Sequence, residues 1–114
     1  MNLLDILDDT GNNEHVVVIY PDRHTLRQDF QPYVNTYSRL YRTHSLHRAE
    51  YIEDPKRRAR VYLRTPKQII SVNRNRAIDG SVRAYVTDGV EVTDLMKTRL
   101  NQSGITNITQ AGEQ

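Results

Sequence analysis

The side chains best suited to bind a ligand are cations in the middle of the chain. They are Lys56, Arg57, Arg58, Arg60, Arg64, Lys67, Arg74, Arg76 and Arg83. Arginine dominates the group, and its planar fork binds a phosphate through two parallel hydrogen bonds. Each phosphate that such a cation neutralises releases counterions, so the pattern favours a polyanionic ligand whose affinity depends on salt.

The overall charge conceals how strongly these cations are concentrated. The chain has a net charge of only +2, but residues 39–85 carry twelve bases and four acids, and both flanking segments are acidic. Concentrated positive charge is evidence about partners and says little about fold. DNA or RNA is therefore the first expected partner, and an acidic protein is the second.

Two further features fit nucleic acid. Asn73 and Asn75 alternate with Arg74 and Arg76, and these are the side-chain types that read adenine and guanine edges. Aromatic rings available for base stacking are interleaved with the cations, at Tyr51, Tyr62 and Tyr85. The alternatives are a polar hairpin loop at 73–76 and a solvated surface in which the cations pair with Glu50, Glu53, Asp54 and Asp79.

Motifs for catalysis are incomplete. Of the four histidines only His44 and His47 have a ligand-like spacing, and no carboxylate or cysteine set accompanies them, so no metal site is expected. The chain has neither a nucleophile elbow nor a phosphate-binding glycine loop. We therefore expect a protein that is not an enzyme and needs no cofactor.

Length and composition indicate one domain spanning residues 1–114, with a flexible tail at 109–114. The chain has no cysteine, which excludes disulfides and thiolate metal sites. Its longest apolar run, Val16 to Tyr20, is too short to span a bilayer. A cytoplasmic location with no membrane partner follows as the expectation.

Local patterns predict an alternation of helices and strands. The expected helices are 2–8, 22–42 and 93–102, the second being a long amphipathic helix interrupted at Pro32. The expected strands are 15–20, 49–52, 60–64, 82–87 and 105–108. The four β-branched residues from Val16 to Ile19 indicate a strand buried on both faces. The order predicts an α/β fold in which helices pack on a small mixed sheet, in a Rossmann-like sandwich of two or three layers.

Two stretches carry a resemblance to a known family. The first is Val16-Val17-Val18-Ile19-Tyr20-Pro21-Asp22-Arg23-His24-Thr25-Leu26-Arg27-Gln28-Asp29-Phe30, and the second is Asp79-Gly80-Ser81-Val82-Arg83-Ala84-Tyr85-Val86-Thr87-Asp88-Gly89. They resemble the ATPase core of viral DNA-packaging terminases and related helicases, over roughly residues 15–95. The first is similar to the strand and helix that follow the phosphate loop, and the second to the Walker B strand.

The resemblance implies a viral or phage origin and a role on DNA, with Asp88 at the position of the metal-binding acid. The chain departs from the family pattern in two places. Gly89 stands where a catalytic glutamate is expected, and no Walker A motif precedes the first strand. The resemblance therefore implies a degenerate relative that does not hydrolyse ATP.

The leading hypothesis from the sequence is a small accessory protein that binds nucleic acid through the cationic segment. The expected contact residues are Lys56, Arg57, Arg58, Arg60, Arg64, Lys67, Asn73, Arg74, Asn75, Arg76 and Arg83. A rival hypothesis is a protein–protein module or inhibitor that docks on a host or partner protein, because Tyr33, Tyr37 and Tyr41 recur at helical spacing and tyrosine is enriched in interfaces. A homodimer is a further candidate assembly. A third is a residual nucleotide-binding site around Asp88.

Overall fold

A six-stranded mixed sheet forms the middle layer of the protein in a computed structural model, which describes residues 3–34, 42–44, 50–71 and 78–110. The strands are β1 (His15–Ile19), β2 (Arg42–His44), β3 (Tyr51–Asp54), β4 (Ala59–Arg64), β5 (Arg83–Val86) and β6 (Ile108–Gln110). Their spatial order is β2-β3-β4-β1-β5-β6. Strands β4, β1, β5 and β6 run parallel to one another, whereas β3 is antiparallel to both of its neighbours.

Strand β1 lies inside the sheet, as its run of β-branched residues predicts. Val17 aligns with Tyr62 of β4 on one side and with Ala84 of β5 on the other. Val17 and Ile19 are 0% exposed and Val18 is 1% exposed, so neither face of the strand meets water. The parallel pairing explains why apolar residues are continuous in β1 and do not alternate with polar ones.

Within the described ranges, four helices cover the two faces of the sheet. They are α1 (Leu3–Asp9), α2 (Arg23–Val34), α3 (Pro66–Ile69) and α4 (Asp94–Gln102). Helices α1 and α2 pack with Val16 and Val18 on the first face. Helices α3 and α4 pack with Val17 and Ile19 on the second face. The α/β class predicted from the sequence is therefore confirmed, with helices on both sides of the sheet.

The sequence prediction and the structure differ most at three elements, whereas the other predicted elements are shifted by one or two residues. The helix expected over 22–42 is described as α2 only as far as Val34, and its predicted end is wrong because Arg42 belongs to β2. The last strand lies at 108–110, so Thr109 and Gln110 pair with β5 and are not part of a tail. Helix α3 was not expected at all. It starts after Thr65, whose backbone N–H donates to the side chain of Gln68 at 2.9 Å.

No helix within the described ranges is long and apolar enough to cross a bilayer.

Candidate functional site

The turn between β3 and β4 holds three consecutive cations of the central segment, two of which are exposed. Asp54 pairs with Ala59 across the two strands, and residues Pro55 to Arg58 form the loop between them. The Asp54 carboxylate accepts hydrogen bonds from the backbone N–H of Lys56 at 3.0 Å and from Nε of Arg57 at 2.8 Å. We call residues 54–59 the cationic hairpin. Lys56 and Arg58 are exposed, and within the described part of the chain neither makes an ion pair.

Arg58 has a left-handed backbone, with a φ of 55°. This conformation costs a residue with a Cβ about 1–2 kcal/mol, and glycine is the usual choice for it. Asn13, in the turn before β1, is also left-handed, with a φ of 61°. The two turns touch, because the Asn13 N–H donates to the Arg57 carbonyl oxygen at 2.8 Å. Backbone strain of this kind gathers at binding sites, which directs attention to the space between the turns.

A cavity of about 530 Å³ lies beside the two turns. It is lined by Asn13, His15, Glu53, Pro55, Arg58 and Arg60. Three of these residues share a row across the sheet, since Arg60 aligns with His15 on β1 and with Glu53 on β3. Side chains in one row project from the same face of a sheet. The fold therefore brings together groups that are far apart in the sequence.

The Arg60 guanidinium is held in place within this cavity. Its Nε donates to Oε2 of Glu53 at 2.7 Å, and its Nη1 donates to the Tyr62 hydroxyl at 3.1 Å. The guanidinium carbon lies 4.7 Å from the centre of the Tyr51 ring. Arg60 is thus rigid and only partly accessible, with 34% of its side chain exposed.

His15 is the titratable ring of the cavity, and its edge packs against Tyr62 with ring centres 5.5 Å apart. Burial lowers the pKa of His15 below 6.5, the positive charge of Arg60 lowers it further, and Glu53 acts in the opposite sense. The imidazole is therefore neutral at pH 7. With Arg60 paired to Glu53, the net charge of the cavity comes from Arg58.

Arg57 belongs to the cationic hairpin but stabilises the fold. Besides its ion pair with Asp54, it donates from Nη2 to the Leu7 carbonyl oxygen at 2.8 Å and from Nη1 to the Thr10 carbonyl oxygen. These carbonyls lie at the carboxyl end of α1, where the last turn lacks intrahelical donors and carries partial negative charge. Arg57 is therefore committed to capping α1.

We expect Arg57→Ala to lower the free energy of unfolding by about 2 kcal/mol, because it removes two charged hydrogen bonds to helix carbonyls. Urea denaturation measures this change. Arg58→Ala is the matched control, since it removes the same group one residue away from an exposed position, and it should stay within about 0.5 kcal/mol of wild type. Equal effects of the two substitutions would contradict the capping role.

Arg64 lies inside the protein, at the carboxyl end of β4. It is 1% exposed, and its Nη1 donates to the carbonyl oxygens of Glu50 at 3.0 Å and Leu63 at 2.8 Å. The Glu50 carboxylate, only 5% exposed, pairs with both terminal nitrogens of Arg23 at 2.9 and 2.5 Å. We call Arg23, Glu50 and Arg64 the buried ion cluster. Arg64 therefore does not reach a surface on which a phosphate could bind.

The remaining predicted contact residues are not gathered at the cavity. Arg83 aligns with Val16, which places it on the first face of the sheet, opposite Arg60, and its guanidinium lies over the Tyr85 ring at 5.8 Å. Lys67 is exposed on α3. This helix follows the carboxyl end of β4, whereas the cationic hairpin lies at the amino end of the same strand. The predicted contacts Asn73, Arg74, Asn75 and Arg76 lie outside the described residues.

Sequence reasoning missed four of the residues that line the cavity, namely Asn13, His15, Glu53 and Pro55. A signal existed for two of them. Asn13 follows a Gly-Asn pair in a turn, where a left-handed asparagine is common, and Pro55 marks a tight hairpin. His15 and Glu53 offered none, because their proximity to Arg60 depends on strand register.

The strain at Arg58 leads to a separate expectation for stability. Arg58→Gly should raise the free energy of unfolding by about 0.5–1 kcal/mol, because the relief of the left-handed backbone exceeds the added entropy of the unfolded chain. Arg58→Ala keeps the strain and should show no gain. Chemical denaturation of the two variants separates these outcomes, and identical stabilities would show that the backbone at Arg58 is not strained.

Other candidate groups are less organised. Asp88 is exposed just beyond the carboxyl end of β5, and the described ranges hold no group of three histidine or acidic side chains placed to bind a metal. Tyr33 is half-buried against the core of the first face, whereas Tyr37 and Tyr41 lie outside the described residues.

No protein-family model, curated protein or solved structure matches this chain.

Proposed function

We propose that the protein is a non-enzymatic nucleic-acid-binding protein that grips the phosphate backbone with the cationic hairpin. The observation that carries the proposal is the pair of exposed cations, Lys56 and Arg58, in the cationic hairpin, where Arg58 also lines a polar cavity. Arg58 is held there at the cost of a left-handed backbone, where glycine would be less strained. A charge kept in a strained position is a reason to infer a ligand for that charge.

Two of the predicted contact residues are not available to a phosphate. Arg57 is committed to Asp54 and α1, and Arg64 is buried, so neither adds to a surface for phosphates. Lys56 and Arg58 supply exposed positive charge. Arg60 supplies a hydrogen-bond donor that is held inside the cavity by Glu53. A site of two or three cations binds a strand weakly and without strong sequence preference from its phosphate contacts alone.

The proposal is tested by fluorescence anisotropy with labelled oligonucleotides of about 20 nucleotides, as single-stranded DNA, single-stranded RNA and duplex DNA. Titrations at salt concentrations from about 20 to 200 mM should show weakening affinity. With two or three phosphate contacts, the slope of log K against log salt should lie between about −1.4 and about −2.1 for single strands. Absence of binding at the lowest salt, or an affinity indifferent to salt, would refute the proposal.

A further inference from the structure

The cavity beside the cationic hairpin contains a carboxylate, which a site for phosphate alone would not include. Glu53 is 13% exposed and lines the cavity, where its Oε2 accepts from Arg60 at 2.7 Å. A phosphate placed against this carboxylate would be repelled. The groups of a nucleic acid that can donate hydrogen bonds to Glu53 are the amino and imino groups of the bases and the sugar hydroxyls.

The size of the cavity suits one nucleotide. Its volume of about 530 Å³ falls in the range of about 300–1,000 Å³ typical of small-molecule sites. In a duplex the bases are stacked and their pairing edges are occupied, whereas an unpaired base can turn outward and present that edge to a protein. The cavity therefore fits a single strand better than a duplex.

We infer, resting on the proposed function, that this cavity takes one unpaired base of a bound strand and that Glu53 selects guanine. Guanine presents two adjacent donors, N1–H and the 2-amino group, which match the two oxygens of a carboxylate. Oε2 retains a lone pair while it accepts from Arg60, because each carboxylate oxygen has two acceptor positions. Arg58, at the cavity wall, neutralises the neighbouring phosphate.

The other bases fit this arrangement less well. Adenine and cytosine each have one amino group beside a ring nitrogen that accepts hydrogen bonds, so one oxygen of Glu53 would face another acceptor. Thymine and uracil have one imino hydrogen between two carbonyl oxygens. A base contact of two parallel hydrogen bonds gives discrimination of about tenfold or more.

The test uses three labelled single-stranded heptamers: all thymidine, the same strand with a central guanine, and the same strand with a central inosine, which lacks the 2-amino group. The guanine strand should bind about tenfold more tightly than the thymidine strand, and the inosine strand should fall between them. Glu53→Gln should bring the ratio of guanine to thymidine affinity close to one. Thermal unfolding of Glu53→Gln checks that this variant is folded, and the exchange of guanine for inosine requires no change in the protein.

The outcomes distinguish this inference from the proposed function. Equal affinity for the three strands would overturn guanine selection and leave backbone binding in place. Inosine binding as tightly as guanine would overturn the paired contact with Glu53. Failure of every strand to bind at low salt would overturn the proposed function and this inference with it.

Discussion

Glu50→Ala should lower the free energy of unfolding by about 3–5 kcal/mol, because it removes the buried carboxylate of an ion pair. The Glu50 side chain is buried, and it is the carboxylate of the buried ion cluster. Its removal leaves Arg64, which is 1% exposed, with backbone carbonyls and an aromatic ring but with no carboxylate of the described residues to balance its charge. A domain of this size is stable by about 5–15 kcal/mol, so the variant should lose about a fifth or more of its stability.

A matched control and a compensating change test the cause. Glu91→Ala removes an exposed carboxylate and should alter stability by less than about 0.5 kcal/mol. Combining Glu50→Ala with Arg64→Met removes the uncompensated charge and should recover much of the loss, because apolar replacement of buried ions is often close to neutral. Urea denaturation measures all three proteins. A double variant no more stable than Glu50→Ala would show that the buried charge is not the reason.

The same carboxylate predicts how the stability depends on pH. Burial alone would raise the pKa of Glu50, but hydrogen bonds from Arg23 and the charges of Arg23 and Arg64 bring it below its ordinary value of 4.5. A carboxyl group whose pKa is lower in the folded state stabilises the protein at pH values above its unfolded pKa. That stabilisation is lost as the pH falls below about 4.5. Denaturation at a series of pH values should show this loss in wild type and a smaller one in Glu50→Ala.

Replacing both Lys56 and Arg58 by alanine should weaken binding to single-stranded DNA at least about tenfold at about 50 mM salt. These two residues provide the exposed charge of the cationic hairpin. Each lost phosphate contact also reduces the steepness of the salt dependence, so the slope of log K against log salt should become shallower by about 1.4. Fluorescence anisotropy of the double variant across the salt series measures both quantities.

The control for this experiment is a second double variant with the same net charge as the variant that lacks Lys56 and Arg58. Replacing Lys67 and Arg83 by alanine also removes one lysine and one arginine, both exposed, but from places away from the cavity. This pair should weaken binding by less than about threefold, through the long-range field alone. Equal losses in the two double variants would mean that total charge, and no particular surface, determines the affinity.

Much of the fold follows from local sequence signals. The run of β-branched residues in β1 is a signal contained within five residues, and the strand was located to within one residue. Helix α4 was predicted from 93 to 102 and found from 94 to 102, with Thr93 as the cap whose hydroxyl accepts from the Met96 N–H. Such signals can be read from the sequence because the residues that determine the element lie close to one another along the chain.

The prediction of secondary structure missed two elements. One element depends on pairing with another strand, and the other has a local capping signal that was not used. Arg42, the first residue of β2, was assigned to the end of a helix because the apolar residues up to Tyr41 recur at spacings of three and four, whereas its actual partner is Glu53 on β3. Pairing between two separate strands leaves no trace in the local sequence of either strand. Helix α3 did leave one, since Thr65 and Gln68 have the spacing of a capping box and Pro66 starts the helix.

The candidate site was foreseen only in part. Composition identified the cationic segment, and Arg58 and Arg60 do line the cavity. Composition does not show which arginines remain available, because this depends on where the acids and carbonyls of other elements lie. Arg57 meets the end of α1, and Arg64 enters the core beside Glu50. The result is a smaller site than the sequence suggested, centred on the hairpin.

The central claim is that the cavity and the cationic hairpin form the surface that contacts nucleic acid. An NMR titration of ¹⁵N-labelled protein with a single-stranded heptamer containing one guanine tests it most directly. We expect the largest amide shifts at Asn13, at His15, at Asp54 and across residues 56–60. Shifts centred on Lys67 and Asp88, which follow the carboxyl ends of β4 and β5, would contradict the claim, and so would the absence of shifts at low salt.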